Sequence, residues 1–264
     1  MTTKQVTVKK KGRIALVSFQ RQEPSNALSF SLMRELTTVA EELACDANLC
    51  AVVLTGRDDN FCLGMDLKDP EVAQSATDTL SQRRLALKTG PKMCRAWEEL
   101  EALTIVAIEG WCAGGGAALA VSCDLRVIAQ TGHFYIPEIE RGFNMSWGSV
   151  PRITNLVGPA KAKRMVVLAE KLSADKAVNW GIADYISPTG DAIKTALELA
   201  ESAATLPPNS VRLCKSAINA HANALNSATS HADMDQFALT QSSEDCAEGV
   251  QAFIEKRDPV FSGG

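Results

Sequence analysis

Residues 104–124, TIVAIEGWCAGGGAALAVSCD, are the stretch around which the chain is organised. The apolar run at 105–108 predicts a buried strand, and residues 117–121 are acceptable helix formers. Between them lie three consecutive glycines at 114–116, whose missing Cβ atoms let a ligand approach the backbone. A helix that starts there leaves N–H groups free for an anionic oxygen. Taken alone, the glycine triplet favours a simpler alternative, a tight and closely packed strand-to-helix turn.

The composition is that of a soluble globular protein. The chain has 264 residues, of which 46% are hydrophobic and 22% charged, and this length suits one large domain or one domain with an appendage. The formal net charge of −4 argues against a nucleic-acid-binding surface, which normally carries a basic excess. The segment MTTKQVTVKKKG has no apolar core, so no signal peptide is expected, and no apolar run approaches the roughly 20 residues of a membrane span.

Eight cysteines are scattered along the chain without a CxxC pair, and only three histidines are present. Several cysteines, such as Cys112 and Cys123, lie among apolar residues, which indicates reduced, buried thiols rather than a disulfide framework. This usage predicts a cytoplasmic protein. Because the sequence contains no HExxH motif and no Cys/His cluster, no metal site is expected.

Strands and helices alternate along most of the chain. Two strands at 6–8 and 14–19 are predicted to form a hairpin whose turn is the lysine run 9–11. Ser29 is expected to cap a helix with an apolar stripe, and the segment 70–90 to be mobile or weakly helical. The other predicted elements are a turn at 23–26, strands at 51–54, 125–129 and 183–186, a short strand or turn at 132–138, and helices at 93–103, 150–157, 160–169 and 174–180.

From residue 191 onward the chain shows only helical patterns, at 192–205, 210–223 and 234–253. This change divides the chain into a strand-and-helix body, residues 1–195, and a helical C-terminal region, residues 196–264. The strand-strand-helix rhythm of the body favours an α/β fold whose parallel strands are joined by crossover connections.

Three short segments carry residues that suit one kind of chemistry. They are the loop FCLGMDL at 61–67, the glycine triplet, and Pro137-Glu138, which lies among apolar residues. Two glycine loops could present two backbone N–H groups to one oxygen, as an oxyanion hole does. A carboxylate in the same pocket could then move a proton on the carbon next to that carbonyl. The spacing leaves open whether the three segments meet.

A set of motifs runs through nearly the whole chain. The motifs are Ser25-Asn26-Ala27-Leu28, FCLGMDL at 61–67, GWCAGGGAALAVSCDLRVIA at 110–129, the segments 134–142 and 161–172, Trp180-Gly181, and EGVQAFIEKR at 248–257. In this order the set resembles the enoyl-CoA hydratase/isomerase superfamily, the crotonases. Each motif alone is a weak indication of this family, but the whole set is highly specific for it.

The resemblance implies a crotonase-type α/β fold, a spiral of strand-strand-helix repeats with a helical C-terminal region used in trimerisation. It implies an acyl-CoA thioester substrate, a homotrimer or dimer of trimers, and no cofactor other than the coenzyme A of the substrate. Nucleic-acid and membrane partners are not expected. The family holds a thioester enolate between two backbone N–H groups, which on this chain are those of Met65 and Gly115. The alternative for Met65 is an ordinary core methionine.

The acidic positions separate two activities within the family. Hydratases place one glutamate two residues after the third glycine, where this chain has Ala118, and a second one at the position of Glu138. A hydratase uses both glutamates to hold and activate a water molecule. An isomerase needs only one carboxylate to move a proton between two carbons. The resemblance therefore implies a Δ3,Δ2-enoyl-CoA isomerase in which Glu138, with a pKa raised by apolar neighbours, carries the proton from C2 to C4. The alternative for Glu138 is a surface or salt-bridged carboxylate.

Neither of two other positions offers an obvious replacement for the missing glutamate. Related enzymes that use an aspartate carry it near Ser146, which is not acidic, and Glu140 would face the same way as Glu138 only in an extended segment. The loop 144–148 also lacks the usual glycine-rich pattern of the family. Its Trp147 is compatible with a role in shaping the acyl pocket and equally with core packing.

The substrate contacts implied by the resemblance come from both ends of the chain. The first turn, residues 21–24, lacks the lysine that the family usually has beside its proline. The resemblance therefore does not supply one of the family's contacts to the coenzyme A phosphates. The implied substrate-binding residues are Ala27, Leu63, Lys68, Gly114 and Trp147, together with Phe253 and Lys256 from a neighbouring subunit.

Two alternatives to an isomerase remain open from the sequence. The first is a hydratase that recruits an unexpected second acid or an ordered water. The second is a non-catalytic acyl-CoA binder or an RNA-binding relative. The acidic balance weighs against RNA, because neutralising phosphates requires lysines and arginines.

Overall fold

The structure, a computed structural model, describes residues 5–23, 25–74 and 77–264, and its strands form two sheets. The strands are β1 Val6–Lys11, β2 Ile14–Phe19, β3 Ala51–Thr55, β4 Leu103–Ile108, β5 Trp111–Ala113, β6 Leu125–Ala129, β7 His133–Tyr135, β8 Leu172–Ser173 and β9 Tyr185–Ser187. The larger sheet has the order β1-β2-β3-β4-β6-β9, and the smaller one has the order β5-β7-β8.

Helices surround the sheets and make up the C-terminal part of the chain. They are α1 Phe30–Ala44, α2 Pro70–Gln74, α3 Leu80–Leu87, α4 Thr89–Glu98, α5 Gly115–Ala120, α6 Ser149–Val157, α7 Pro159–Val166, α8 Ala174–Trp180, α9 Ala192–Ala204, α10 Pro208–Ala222, α11 Asn226–Ser230, α12 Asp233–Gln241 and α13 Glu244–Glu255. A short 3-10 turn, Glu138–Arg141, follows β7.

The two sheets are built turn by turn along the chain, which confirms the predicted spiral. β2, β3, β4, β6 and β9 pair in parallel in the larger sheet, and β5 pairs in parallel with β7 in the smaller one. Two isolated parallel bridges, Leu28 with Met65 and Cys62 with Cys112, extend the same pattern towards the N-terminus. Each turn thus adds one strand or bridge to each sheet.

The strand β5 was not predicted. The interpretation of residues 104–124 passed directly from strand to glycine loop, whereas Trp111, Cys112 and Ala113 form a strand paired with His133, Phe134 and Tyr135. A three-residue strand is too short to show any periodicity in the sequence.

The N-terminal hairpin is confirmed, but the prediction of its turn was wrong. Lys9, Lys10 and Lys11 are exposed residues of β1 itself, and the turn is formed by Gly12 and Arg13. Exposed lysines are compatible with a strand at the edge of a sheet, where charge discourages pairing with other chains. Gly12 adopts a φ of +58°, which suits glycine in so tight a turn.

The central parallel strands β3, β4 and β6 are buried on both faces. In β3, Val52 and Leu54 belong to the larger core that lies towards α1, α4 and α5, whereas Ala51 and Val53 face the opposite way. On that opposite face α9 packs through a stripe of alanines, Ala192, Ala196, Ala200 and Ala203. The predicted boundary at residue 195 falls inside this helix, and the division into two regions stays a prediction.

Most predicted helices are present, with differences at their ends. Ser29 caps α1, its hydroxyl accepting the N–H of Leu32 at 3.1 Å, as predicted. The predicted helix 93–103 ends at Glu98, and the predicted helix 234–253 is two helices, because Ser243 caps a new one. The segment 70–90 is helical at α2, α3 and the start of α4, with residues 75 and 76 outside the described part. The predicted turn at 23–26 includes Pro24, which also lies outside it.

All eight cysteines are free thiols, and six of them are buried. Over the described ranges, the chain contains no helix with the length and apolarity needed to cross a lipid bilayer.

Candidate active site

The N–H group of Met65 points away from the Leu28 segment with which its loop pairs. Leu28 pairs with this loop on both sides of Met65, donating its N–H to the Gly64 carbonyl at 2.8 Å and accepting the N–H of Asp66 at 3.0 Å. In a parallel bridge the residue between those two bonds turns its own N–H to the other side. Within residues 5–23, 25–74 and 77–264, the Met65 N–H meets no hydrogen-bond acceptor.

The N–H group of Gly115 lies beside the same loop. Gly115 is the first residue of α5, where an N–H has no partner within the helix, and no acceptor from the described chain reaches it. A Cβ on Gly64 would lie only 3.5 Å from the Gly115 nitrogen. The FCLGMDL loop and the glycine triplet therefore meet, and each carries an N–H group without an acceptor in the described chain, which is what an oxyanion hole needs.

The carboxyl of Glu138 reaches the same place. Glu138 begins the 3-10 turn after β7, and a Cβ on Gly114 would lie 2.7 Å from its Oε1 atom. Gly114 has a φ of +52° and donates its N–H to the Tyr135 carbonyl at 2.9 Å, which ties the glycine triplet to β7. The three segments that the sequence singled out thus converge on Gly114.

The environment of Glu138 favours the neutral form of its carboxyl. The residue as a whole is partly exposed, but its Oε2 atom is buried and accepts no hydrogen bond from the described chain. Burial raises the pKa of Glu138 from 4.5 to about 7, while its own backbone N–H and the Arg141 guanidinium act weakly in the opposite direction. A carboxyl with this pKa can both accept and release a proton near neutral pH.

None of the other three positions considered for a second acid offers one to the site. Ala118 is fully buried one turn into α5, where it offers only a methyl group. Glu140 is exposed and accepts a hydrogen bond from the Tyr135 hydroxyl, so the 3-10 turn directs it elsewhere. Ser146 is buried, and its carbonyl accepts a hydrogen bond from the Ser149 hydroxyl.

Trp147 lies directly against the glycine triplet. A Cβ on Gly115 would be 2.8 Å from the Cζ3 atom of the indole, and a Cβ on Gly90 would be 2.1 Å from its Cε2 atom. The six-membered ring therefore fills the gap between α4, which carries Gly90, and the start of α5. Both glycines were needed for this packing, since an alanine at either position would collide with the ring.

The predicted coenzyme A residues Ala27 and Leu63 lie on two segments that pair with each other. Leu63 donates its N–H to the Ser25 carbonyl at 3.0 Å, which pairs its loop with the segment around Ala27. Arg21 holds both segments, because its Nη1 donates to the Ala27 carbonyl at 2.9 Å and forms an ion pair with Asp66 at 2.6 Å. This half-buried ion pair lies next to Met65 and was not identified from the sequence.

The remaining predicted contacts lie on the surface. Lys68 is exposed on the loop that follows Met65, and Lys256 is an exposed residue at the end of α13. Phe253 is 55% exposed, and its ring stacks on the Arg141 guanidinium at 4.2 Å. Because α13 packs on the 3-10 turn of its own chain, Phe253 lies close to the segment that carries Glu138.

Sequence reasoning missed the residues that hold the Trp147 loop. The Trp147 carbonyl accepts a hydrogen bond from Arg152 at 3.0 Å, and the Gly148 N–H donates to Asp233 at 2.8 Å. Arg152 is itself paired with Glu98 at 2.7 Å. No sequence signal links Asp233 to residue 148, since 85 residues separate them. Within the described ranges no group of three or more His, Cys, Asp or Glu side chains could hold a metal ion.

Known proteins with similar sequences point to the same family as the motifs do. The sequence profile of the family described as Enoyl-CoA hydratase/isomerase matches residues 9–264. The chain is 30% identical to the short-chain-enoyl-CoA hydratase of Clostridium acetobutylicum, with 97% of each chain covered. It is 28% identical to the 2,3-dehydroadipyl-CoA hydratase of Escherichia coli, covering 98% of this chain and 99% of the relative.

A solved structure of the same family also matches the chain. The enoyl-CoA hydratase/isomerase of Pseudoalteromonas atlantica superposes with a TM-score of 0.87 at 27% identity, covering 98% of this chain and 100% of the other. The relatives' names support the hydratase alternative better than the isomerase prediction, because both curated relatives are called hydratases. The match over nearly the whole length nevertheless settles the family: this chain belongs to the enoyl-CoA hydratase/isomerase family, the crotonases.

Proposed function

We propose that this enzyme isomerises an enoyl-CoA, moving a double bond from the Δ3 to the Δ2 position with Glu138 as its acid and base. One observation carries the proposal. The Oε2 atom of the Glu138 carboxyl is buried without a hydrogen-bond partner in the described chain, and the family's other acidic position is a buried alanine, Ala118. Such a site can move a proton between two carbons but has no second carboxylate to hold a water.

In the proposed reaction the thioester oxygen accepts the N–H groups of Met65 and Gly115. The ionised Glu138 carboxyl removes a proton from C2 of the 3-enoyl group, and the resulting charge spreads to the thioester oxygen, where the two amides stabilise it. The same carboxyl, now protonated, delivers the proton to C4 and leaves the double bond between C2 and C3. Because no electron or atom leaves the substrate, the reaction needs no cofactor beyond the coenzyme A of the thioester.

The predicted substrate contacts fit this proposal. Ala27 lies on the segment that pairs with the Met65 loop, and Leu63 and Lys68 lie on that loop on either side of Met65. Lys68 is an exposed cation suited to a phosphate. Phe253 and Lys256 lie at the exposed end of α13, where they are available to a substrate of this chain or of a neighbouring one.

Hydration is the second candidate, and the relatives' names favour it. A hydratase built on this site would have to position its water with Glu138 and a group other than residue 118, such as a backbone amide or a second ordered water. Addition of water to a 2-enoyl-CoA would then proceed with one carboxyl serving as both acid and base.

A two-substrate assay separates the candidates. We expect the enzyme to convert a 3-enoyl-CoA into the conjugated 2-enoyl-CoA, followed by ultraviolet absorbance, and to form little 3-hydroxyacyl-CoA from a 2-enoyl-CoA, measured by mass spectrometry. Rapid formation of the 3-hydroxy product without any conversion of the 3-enoyl substrate would favour the hydratase. RNA binding without turnover of any thioester would overturn both.

We also propose that the enzyme assembles as a homotrimer or a dimer of trimers. Exposed apolar side chains on the C-terminal helices support this, with Leu213, Ile218, Leu225 and Leu239 each at least 66% exposed in the single chain. Light scattering on the protein as it elutes from a size-exclusion column should give a molar mass of three or six chains. The mass of a single chain would contradict the proposal.

A further inference from the structure

The Trp147 indole lies beside the Gly115 end of the candidate oxyanion hole. In the proposed function the thioester oxygen lies at the Gly115 N–H, and the indole lies where a side chain of that same residue would begin, since a Cβ there would be 2.8 Å from its Cζ3 atom. The first carbons of the acyl group are bonded to the carbon that carries this oxygen. In that placement we expect these carbons to run beside the indole.

The ring closes the gap between α4 and α5. These two helices pack against each other, and the indole lies between Gly90 of α4 and Gly115 of α5. A Cβ at Gly90 would overlap the ring, at 2.1 Å from Cε2, so residue 90 has no side chain at the one point where the ring needs the space. The ring thus fills the space between Gly90 and Gly115.

The backbone holds the ring in this position at a conformational cost. Trp147 adopts a φ of +60°, which is rare for a bulky residue and persists only where the surroundings enforce it. Two polar contacts enforce it here: Arg152 donates to the Trp147 carbonyl, and Asp233 accepts the N–H of Gly148. Arg152 is fixed in turn by its ion pair with Glu98 on α4.

We propose that Trp147 determines acyl specificity, restricting the enzyme to compact acyl groups by blocking the exit between α4 and α5. This inference rests on the proposed placement of the thioester at Met65 and Gly115. It assigns a substrate class, short-chain acyl-CoA, and it does not depend on whether the bound thioester is isomerised or hydrated.

Binding of saturated thioesters tests the inference without turnover. Butanoyl-CoA and octanoyl-CoA differ by four methylene groups, and each methylene that gains an apolar site is worth about fourfold in affinity. We expect titration calorimetry to show that the wild type binds octanoyl-CoA no tighter than butanoyl-CoA. In Trp147→Ala the vacated space admits the longer chain, so octanoyl-CoA should bind at least ~10-fold tighter while butanoyl-CoA changes by less than about threefold.

Two further variants keep the test decisive. Trp147→Phe retains an aromatic ring of smaller size and should show a smaller gain for octanoyl-CoA, which replaces the alanine result if Trp147→Ala does not fold. Trp111→Ala is the matched control, because it removes an indole that stacks on His133 at 4.5 Å on the smaller sheet. In this variant the ratio of the octanoyl-CoA affinity to the butanoyl-CoA affinity should stay at the wild-type value.

The outcomes separate the two proposals. If both thioesters bind and their affinity ratio is the same in wild type, Trp147→Ala and Trp147→Phe, the role of Trp147 is overturned while the acyl-CoA site stands. If no variant binds either thioester, the proposed function fails and the inference fails with it.

Discussion

Replacing Glu138 with glutamine should make the stability of the protein less dependent on pH. The folded state raises the pKa of this carboxyl to about 7 from the 4.5 of an unperturbed glutamate. Between these two values the folded chain binds more protons at this site than the unfolded chain does. The resulting stabilisation is fully present below the unfolded pKa and is lost as the pH rises through the folded pKa.

The magnitude follows from the two pKa values. A difference of this size corresponds to about 3 kcal/mol of unfolding free energy in full, and most of it falls between about pH 5 and about pH 8. Glu138→Gln keeps the shape of the side chain and cannot ionise. The variant should therefore gain stability over the wild type as the pH rises, by about 2–3 kcal/mol across that range.

Urea denaturation at a series of pH values measures this difference, at one fixed protein concentration so that assembly contributes equally. Glu140→Gln is the matched control, since Glu140 is an exposed carboxyl two residues away, and its difference from the wild type should show no comparable rise with pH. A constant free-energy difference between Glu138→Gln and the wild type would refute the reasoning, because it would mean that Glu138 is not desolvated in the folded state.

Three further predictions concern activity. In the wild type, kcat/KM for a 3-enoyl-CoA should rise with pH and level off above about 7, because the free enzyme must present an ionised Glu138; a flat profile would contradict its role as base. Gly114→Ala places a methyl group 2.7 Å from the Glu138 Oε1 and should lower kcat/KM by about 100-fold or more, whereas Gly190→Ala, also at positive φ but facing open space, should leave kcat/KM unchanged; equal activities would argue against the contact. Ala118→Glu should gain hydration of a 2-enoyl-CoA, detected as 3-hydroxy product by mass spectrometry, and a folded variant without this gain would show that residue 118 does not face the substrate.

Local chemistry made much of the fold and site predictable. The serine cap at residue 29 and the buried strand at β3 each follow from a few neighbouring residues, and both are present. The glycine triplet and the FCLGMDL loop mark positions where two backbones approach closely, and a Cβ on Gly64 or Gly114 would indeed meet the other segment. A family resemblance was needed to connect these segments, because nothing in their spacing requires them to meet.

The features that were missed depend on contacts distant in sequence. Arg21 and Asp66 are 45 residues apart, and Asp233 reaches Gly148 across 85 residues, so no periodicity or local motif indicates either contact. The gap filled by Trp147 likewise depends on Gly90, which in the sequence is one glycine at the end of a polar segment. The break between α12 and α13 was missed for a different reason, since Ser242 and Ser243 are tolerated in a helix and their role as a cap needs the structure.

The most direct test of the proposed mechanism is the initial rate at which a 3-enoyl-CoA becomes the conjugated 2-enoyl-CoA, compared among wild type, Glu138→Gln and Glu140→Gln. Equal binding of a saturated acyl-CoA by all three would show that the site is intact. We expect the wild type and Glu140→Gln to convert the substrate at similar rates and Glu138→Gln to be slower by at least ~100-fold. A Glu138→Gln enzyme that isomerises at the wild-type rate would contradict the assignment of Glu138 as the residue that moves the proton.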